Sequence, residues 1–276
     1  MRLLTEAWIG AARLRRKVGK PPEAAWQEER VRWVAEHAAG KSFADVGGLF
    51  IDGRVSFAAE ESGATDVTIF DAGDREYAPA FLEEHARRGS KVRYVQGDLH
   101  DDTAIAQVGP HDIVWCTGVL YHTPNPVHQL TQLREITREL LYLGTHTIAE
   151  VPGVPQACLY YPYLDEDARA ALARPHYRAD GYLGVGPPID ERPMHGYANF
   201  WWGITPSALV AMLRTARFEV VAMPRLHASP FYVDLVARPV GEHPMLPPAD
   251  YYRRRREARD RGEELPWEDF YETARP

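Results

Sequence analysis

The sequence predicts an α/β protein with a mostly parallel sheet, and three observations predict it. Between residues 42 and 147 short apolar runs alternate with helical segments, which is the pattern of repeated strand–helix–strand units with helices on both sheet faces. No apolar run approaches the roughly 18 to 20 residues that a membrane span needs. A hydrophobic share of 45% with 26% charged residues is that of a soluble globular chain.

The elements follow in chain order. From residue 23, "EAAWQEERVRWVAEHAAG" sets Trp26, Arg30, Trp33 and Val34 at helical spacing and stops at Gly40. "SFADV" reads as a strand, Gly53 to Glu61 as a helix, "DVTIFD" as a strand, Asp74 to Arg88 as a helix and "KVRYVQ" as a strand. "DIVWCTG" is the next strand, "NPVHQLTQLREITREL" a helix and "LLYLGTHT" a strand. From Ala149 to about Phe200 prolines 152, 155, 162, 175, 187, 188 and 193 break the pattern and tyrosines are frequent; so long a stretch inside a compact domain reads as a lid. A helix resumes at Thr205-Pro206, where Thr205 can cap and Pro206 suits the first turn. "FEVVAM" and "PFYVDLVARP" then form an antiparallel strand pair at the sheet edge. The expected division is an N-terminal helical extension over 1–40, a cofactor-binding core over 41–148, a lid over 149–203, a helix and strand pair over 204–240, and a charged tail over 241–276.

A net charge of −7 argues against a general polyanion binder. Basic clusters stand at Arg13, Arg15, Arg16 and Lys17 and at Arg253 to Arg256 with Arg259 and Arg261, the second partly offset by Glu257, Asp260, Glu263 and Glu264. Each reads as a solvated helix face or as a phosphate-contacting patch. The N-terminus does not read as a secretory signal, and with only Cys116 and Cys158 a disulfide framework is not expected and a reducing cytoplasm is.

Ligands of open α/β sheets sit at the carboxyl ends of the strands, so the residues after each strand carry the functional reading. After the first, Asp45-Val46-Gly47-Gly48 and Gly53 flank a glycine turn leading into a helix whose first N–H groups are unpaired. After the second comes Asp71, 24 residues beyond Gly47 and close to the roughly 20 expected of an acid that takes a ribose diol; it could also cap a helix. After the third, Asp98 and Leu99 suit the amino edge and face of an adenine. After the fourth, the small Thr117 and Gly118 leave room for a ligand, followed by Tyr121 and His122.

Together these strand ends resemble the class I S-adenosylmethionine-dependent methyltransferases, from about Phe43 to Arg238. The residues that carry the resemblance are "DVG…DGRVSF…SGA", "GVLYH" and "NFWWGITPSALVAML", and they are similar to the subgroup that includes the tRNA wobble-uridine methyltransferases. The resemblance implies a Rossmann-like sheet with an antiparallel last strand, and S-adenosyl-L-methionine as cofactor. It matches Gly47 to the first glycine of the family motif and Asp52-Gly53 to its later Asp-Gly pair, with about two extra residues between. Asp52 points the same way: a carboxylate near a helix N-terminus would repel the pyrophosphate of a nicotinamide dinucleotide, whereas a sulfonium nucleoside tolerates it.

Two histidines fall on the reaction side, His122 after the fourth strand and His146 at the end of the fifth, and either could act as base. Tyr121, Trp201 and Trp202, with His195 and Tyr197 in the lid, could wall the acceptor. The histidine spacing supports no metal site. The acidic balance and the tyrosine- and proline-rich lid favour a small-molecule acceptor, with transfer to oxygen favoured. A tRNA acceptor, a nicotinamide oxidoreductase and a nucleoside binder without catalysis are the alternatives, and assembly as a homodimer is left open.

Overall fold

The computed structural model describes residues 23–162, 200–224, 232–241 and 256–263. In chain order the elements are α1 (Glu23–His37), β1 (Ser42–Val46), α2 (Arg54–Glu61), β2 (Asp66–Asp71), α3 (Pro79–Arg88), β3 (Arg93–Gln96), α4 (Asp102–Val108) and β4 (His111–Thr117). They continue with α5 (Pro126–Ile136), β5 (Thr137–His146), β6 (Cys158–Tyr160), β7 (Trp202–Ile204), α6 (Pro206–Thr215), β8 (Phe218–Ala222) and β9 (Tyr232–Pro239).

Seven strands form one sheet in the order β3-β2-β1-β4-β5-β9-β8. The first five run parallel, and β9 inserts antiparallel between β5 and β8. The fold class is therefore the expected one. The expected antiparallel pair ends the sheet, with β9 inside and β8 outermost, and β3 forms the opposite edge.

Alternation along the central strands fills two cores. Ala44, Val46, Val114, Cys116, Leu141 and Leu143 pack with α4, α5 and α6 through residues such as Ile105, Leu130, Leu133 and Leu209. Phe43, Ile69, Ile113, Trp115 and Tyr142 pack with α1, α2 and α3 through Val34, Val55, Ala59 and Phe81. Burial on both faces explains why these strands read as apolar runs rather than alternating ones. The Trp115 and Tyr142 rings stack at 3.8 Å across β4 and β5.

Three local expectations need correction. The helix expected over 74–88 is a short 3-10 turn at Arg75–Tyr77 followed by α3, because Pro79 occupies a first-turn position and starts a new helix there. The helix expected to run from Asn125 to Leu140 stops at Ile136, since Thr137 adopts extended geometry and opens β5. The sequence reading assigned no helix between β3 and β4, yet α4 stands there, capped by the Asp101 carboxylate accepting from the Thr103 N–H.

Within the span read as a lid, β6 and β7 form a separate two-stranded antiparallel ribbon, pairing Cys158 with Ile204 and Tyr160 with Trp202. The ribbon leads into α6, where the Thr205 hydroxyl accepts from the Ala208 N–H at 3.3 Å and Pro206 takes the first turn. Both oxygens of Glu150 close on Ser207, one on its N–H and one on its hydroxyl, each at 2.7 Å. The start of the span is thus tied to the helix that follows it.

Candidate active site

The chain leaves β1 toward one sheet face and β4 toward the other, so the carboxyl ends of these neighbours form the crevice of a doubly wound sheet. Gly47 turns out of β1 with φ 82°, and a side chain there would meet Val119 Cγ2 at 2.5 Å. A Cβ on Gly48 would strike the Asp45 carboxylate at 2.5 Å, and one on Gly53, with φ 68°, would strike the Phe81 ring at 2.7 Å. The sequence assigns these glycines to close approach of a ligand, but each has a protein neighbour filling the space a Cβ would take. Their first role is to let the loop fold onto its own scaffold.

Asp45 is buried one residue before the end of β1, and its Oδ2 accepts from the Ser56 hydroxyl of α2 at 2.8 Å. Burial, with the nearby Asp71 charge adding and the Ser56 bond opposing, pushes its pKa up to about 7. Asp45 thus sits beneath the loop and braces it against the first turn of α2.

Asp71 ends β2 beside the end of β3, paired in register with Gln96. Its Oδ2 accepts from the Leu49 N–H at 3.0 Å and its Oδ1 from the Gly73 N–H at 2.8 Å. The β1 loop is therefore tied to the β2 end, and burial raises the Asp71 pKa against the pull of these two donors. A carboxylate offers about four lone-pair sites, so Asp71 can still accept two ribose hydroxyls. Asp98 follows β3, with Oδ1 engaged by the backbone and ring N–H groups of His100 at 2.8 and 2.7 Å. Leu99, expected against an adenine face, is instead 5% exposed and belongs to the core under α4 and α5.

The ends of β4 and β5 gather an aromatic chamber. Thr117 accepts from the Trp115 indole N–H at 3.2 Å, and Gly118 turns with φ 80° below the Tyr121 hydroxyl. The Tyr121 ring lies 4.2 Å from His122, 4.8 Å from His146 and 4.3 Å from Phe200, centroid to centroid. Tyr232 of β9 meets His146 edge-on at 4.9 Å. The structure brings both sequence-selected histidines together here. Burial, His122 and Arg30 depress the His146 pKa to about 3, so its imidazole is neutral at ordinary pH and a poor proton acceptor.

Trp201 and Trp202 join the span to this edge: the Trp201 N–H donates to the Tyr121 carbonyl, and the Trp202 indole donates to the Pro124 carbonyl, both at 3.0 Å. Their polar groups therefore serve as staples onto the loop after β4. His195 and Tyr197, the other expected wall residues, lie outside the described residues.

Sequence reasoning did not select Arg30, Asp234, Phe200 or Tyr232 for the site. Arg30 reaches in from α1, donates to Asp234 Oδ1 of β9 at 2.7 Å and lies 5.1 Å over the Tyr232 ring. Burial opposes its charge, but Tyr232 and Asp234 outweigh that and hold the guanidinium above its ordinary range. Arg30, Tyr232 and Thr117 all close over Gly144, where a Cβ would stand within 3.0 Å of each. The available signals were an arginine on the same helix stripe as Trp33 and Val34, and one aspartate inside the apolar run "FYVDLVA".

Among the described residues no helix is long and apolar enough to cross a membrane. The N-terminal basic cluster and Arg253 to Arg255 lie outside the described residues, while Arg261 pairs with Glu263 at 2.9 Å.

No family model matches the chain. It is 29% identical over 195 residues to a ubiquinone biosynthesis O-methyltransferase from Nitrosospira multiformis, a match covering 69% of each chain. Among solved structures, it resembles the N-terminal domain of EvdMO1, determined in the presence of SAH and D-fucose, with a TM-score of 0.52, 18% identity and coverage of 81% and 85% of the two chains. It also resembles the 1,6-didemethyltoxoflavin-N1-methyltransferase of Burkholderia thailandensis, determined with S-adenosylhomocysteine, with a TM-score of 0.52, 18% identity and 80% coverage of both chains. The strand order, the reversed β9 and the carboxyl-edge crevice are together the Rossmann-like fold of the S-adenosylmethionine-dependent class I methyltransferases.

Proposed function

We propose that the chain is an S-adenosylmethionine-dependent methyltransferase that acts on a hydroxyl of a small, flat acceptor. The observation that carries the reading is the placement of two carboxylates, Asp71 and Asp98, at the ends of adjacent strands β2 and β3, across the crevice from the chamber of Tyr121, His122, His146, Phe200 and Tyr232. The carboxylate pair suits a nucleoside and the chamber an aromatic acceptor.

When bound, S-adenosylmethionine supplies an already activated methyl group. The chain's own residues then align and enclose. Asp71 holds the ribose diol, Asp98 the adenine amino edge, and the loop from Asp45 through Gly47, Gly48 and Gly53 is held under the donor by Ser56 and Asp71. Thr117 and Gly118 keep the passage between the two halves open. Orientation of reacting atoms near contact is worth roughly 7 to 11 kcal/mol, and a positioned base adds about a hundred- to ten-thousandfold where a hydroxyl must lose its proton. Of the two histidines, His146 is held neutral at about 3, so His122 takes the acceptor proton while His146, Tyr121 and Phe200 set the plane of the acceptor and exclude water.

Span 149–203 acts as the cover, supported by the bonds of Trp201 and Trp202 to the loop bearing Tyr121. The remaining divisions follow the sequence: an extension over 1–40 that lends Arg30, a nucleoside-binding core over 41–148, a helix and strand pair over 204–240, and a tail over 241–276. A small molecule rather than tRNA is favoured by the net charge of −7 and by relatives named for ubiquinone and didemethyltoxoflavin chemistry.

Calorimetry with S-adenosylhomocysteine tests the cofactor assignment: wild type binds and Asp71→Ala does not, whereas equal affinity would remove the assignment. Transfer of labelled methyl to a panel of hydroxylated aromatics, with tRNA at low and high salt as the comparison, tests the acceptor. Label on tRNA alone, lost steeply with salt, would overturn the small-molecule reading.

A further inference from the structure

Beyond the residues assigned above, a hydrogen-bonded chain runs along the same edge from Asp98 through His100 to Thr123. A carboxylate only accepts, so ring Nδ1 of His100 carries the proton it donates to Asp98 Oδ1 at 2.7 Å, parallel to the backbone N–H bond at 2.8 Å. The opposite ring nitrogen, Nε2, is 2.9 Å from the Thr123 hydroxyl oxygen. Thr123 is 1% exposed, follows Tyr121-His122 directly, and its hydroxyl oxygen also accepts from the Asn125 N–H at 3.0 Å. The His128 ring of α5 lies 5.6 Å from the His100 ring at an interplanar angle of 29° and backs it.

The arrangement has two consequences. Both donors of His100 converge on Oδ1, so among the described residues Asp98 Oδ2 accepts no bond, on a side chain that is 65% exposed. An exposed aspartate would otherwise sample several rotamers, and fixing it costs side-chain entropy that a ligand alone would have to supply. The buried hydroxyl of Thr123 anchors the far end of the chain in the loop that carries the acceptor chamber.

From this geometry we infer that His100 is a positioning residue: it orients Asp98 to accept from the amino group of a purine, and it couples that grip to the loop of Tyr121 and His122. The inference rests on the reading of this edge as the nucleoside site. It assigns nucleobase selectivity to a residue that need not touch the nucleoside.

The test uses the full chain and two probes, S-adenosylhomocysteine and its inosine analogue, whose exocyclic C6 carbonyl oxygen, an acceptor, replaces the amino group and would face a carboxylate. Wild type prefers the adenine form. His100→Ala lowers affinity for the adenine probe by about tenfold, the scale of one hydrogen bond to a charged group, and narrows the preference. His100→Asn, whose amide can donate from nearly the place of Nδ1, restores the preference. His100→Gln, whose amide reaches toward Thr123 instead, does not. Thermal midpoints of the variants identify any that fail to fold, in which case the Asn and Gln variants carry the comparison. Unchanged preference in His100→Ala, or equal loss for both probes in every variant, would overturn the inference. Asp71→Ala serves as the separate control: if it binds the adenine probe like wild type, the nucleoside site itself is misplaced, whatever His100 does.

Discussion

Arg30 of α1 and Asp234 of β9, 204 residues apart in sequence, form a 2.7 Å ion pair whose side chains are only 8% and 1% exposed. The pair fixes the segment before the sheet to a strand near its far end, directly under His146 and Tyr232. Removing one partner of such a buried pair costs about 3 to 5 kcal/mol, because the other charge is left without its counter-ion. Arg30→Met and Asp234→Leu should each lower the unfolding free energy measured in urea by that amount. The double substitution should recover most of it, and strictly additive losses would argue against a coupled pair.

Asp45 makes stability fall as pH rises. Its folded pKa is raised from 3.8 to about 7, so between about pH 4 and 7 the unfolded chain releases a proton that the folded chain keeps, and stability declines through that window before levelling. The full effect is on the order of a few kcal/mol. Urea unfolding at pH 5 and pH 8 should show wild type losing more stability than Asp45→Asn, and parallel slopes would show that Asp45 does not titrate there.

His146 acts in the opposite sense. Its folded pKa is lowered from 6.5 to about 3; the unfolded chain therefore takes up a proton first on acidification, and stability is lost as pH falls below about 6.5. The imidazole carbon shifts of His146 in NMR spectra should stay flat from pH 8 to 5. In His146→Phe, which keeps a ring against Tyr121 and Phe200, the acid limb of the stability curve should soften. A midpoint near 6.5 for His146 in wild type would contradict its burial among these rings.

The fold class and the antiparallel pair at the sheet edge were legible because central strands such as "DIVWCT" are apolar on both faces and the helices between them are periodic. Asp71 was legible because its distance from the glycine turn is fixed by one strand–helix–strand unit. The short α4 was hidden: its cap, Asp101, sits in "QGDLHD", where a run of acids reads equally well as a ligand loop. The glycines were found, but their protein neighbours were not, because only three-dimensional packing brings Val119 to Gly47 and Phe81 to Gly53. That Leu99 turns into the core was hidden too, since one residue in a loop carries no periodicity to say which way it turns. Arg30 and Asp234 escaped notice because nothing local links positions 30 and 234.

The ribbon of β6 and β7 sets Tyr160 directly opposite Trp202, so the chain departs for residues 161–201 and returns at a single fixed gate. The Thr205 hydroxyl donates to the Ala157 carbonyl at 2.9 Å and the Ser207 hydroxyl accepts from the Gln156 N–H at 3.0 Å, so both gateposts are held to α6. The stretch between them thus begins and ends one strand spacing apart.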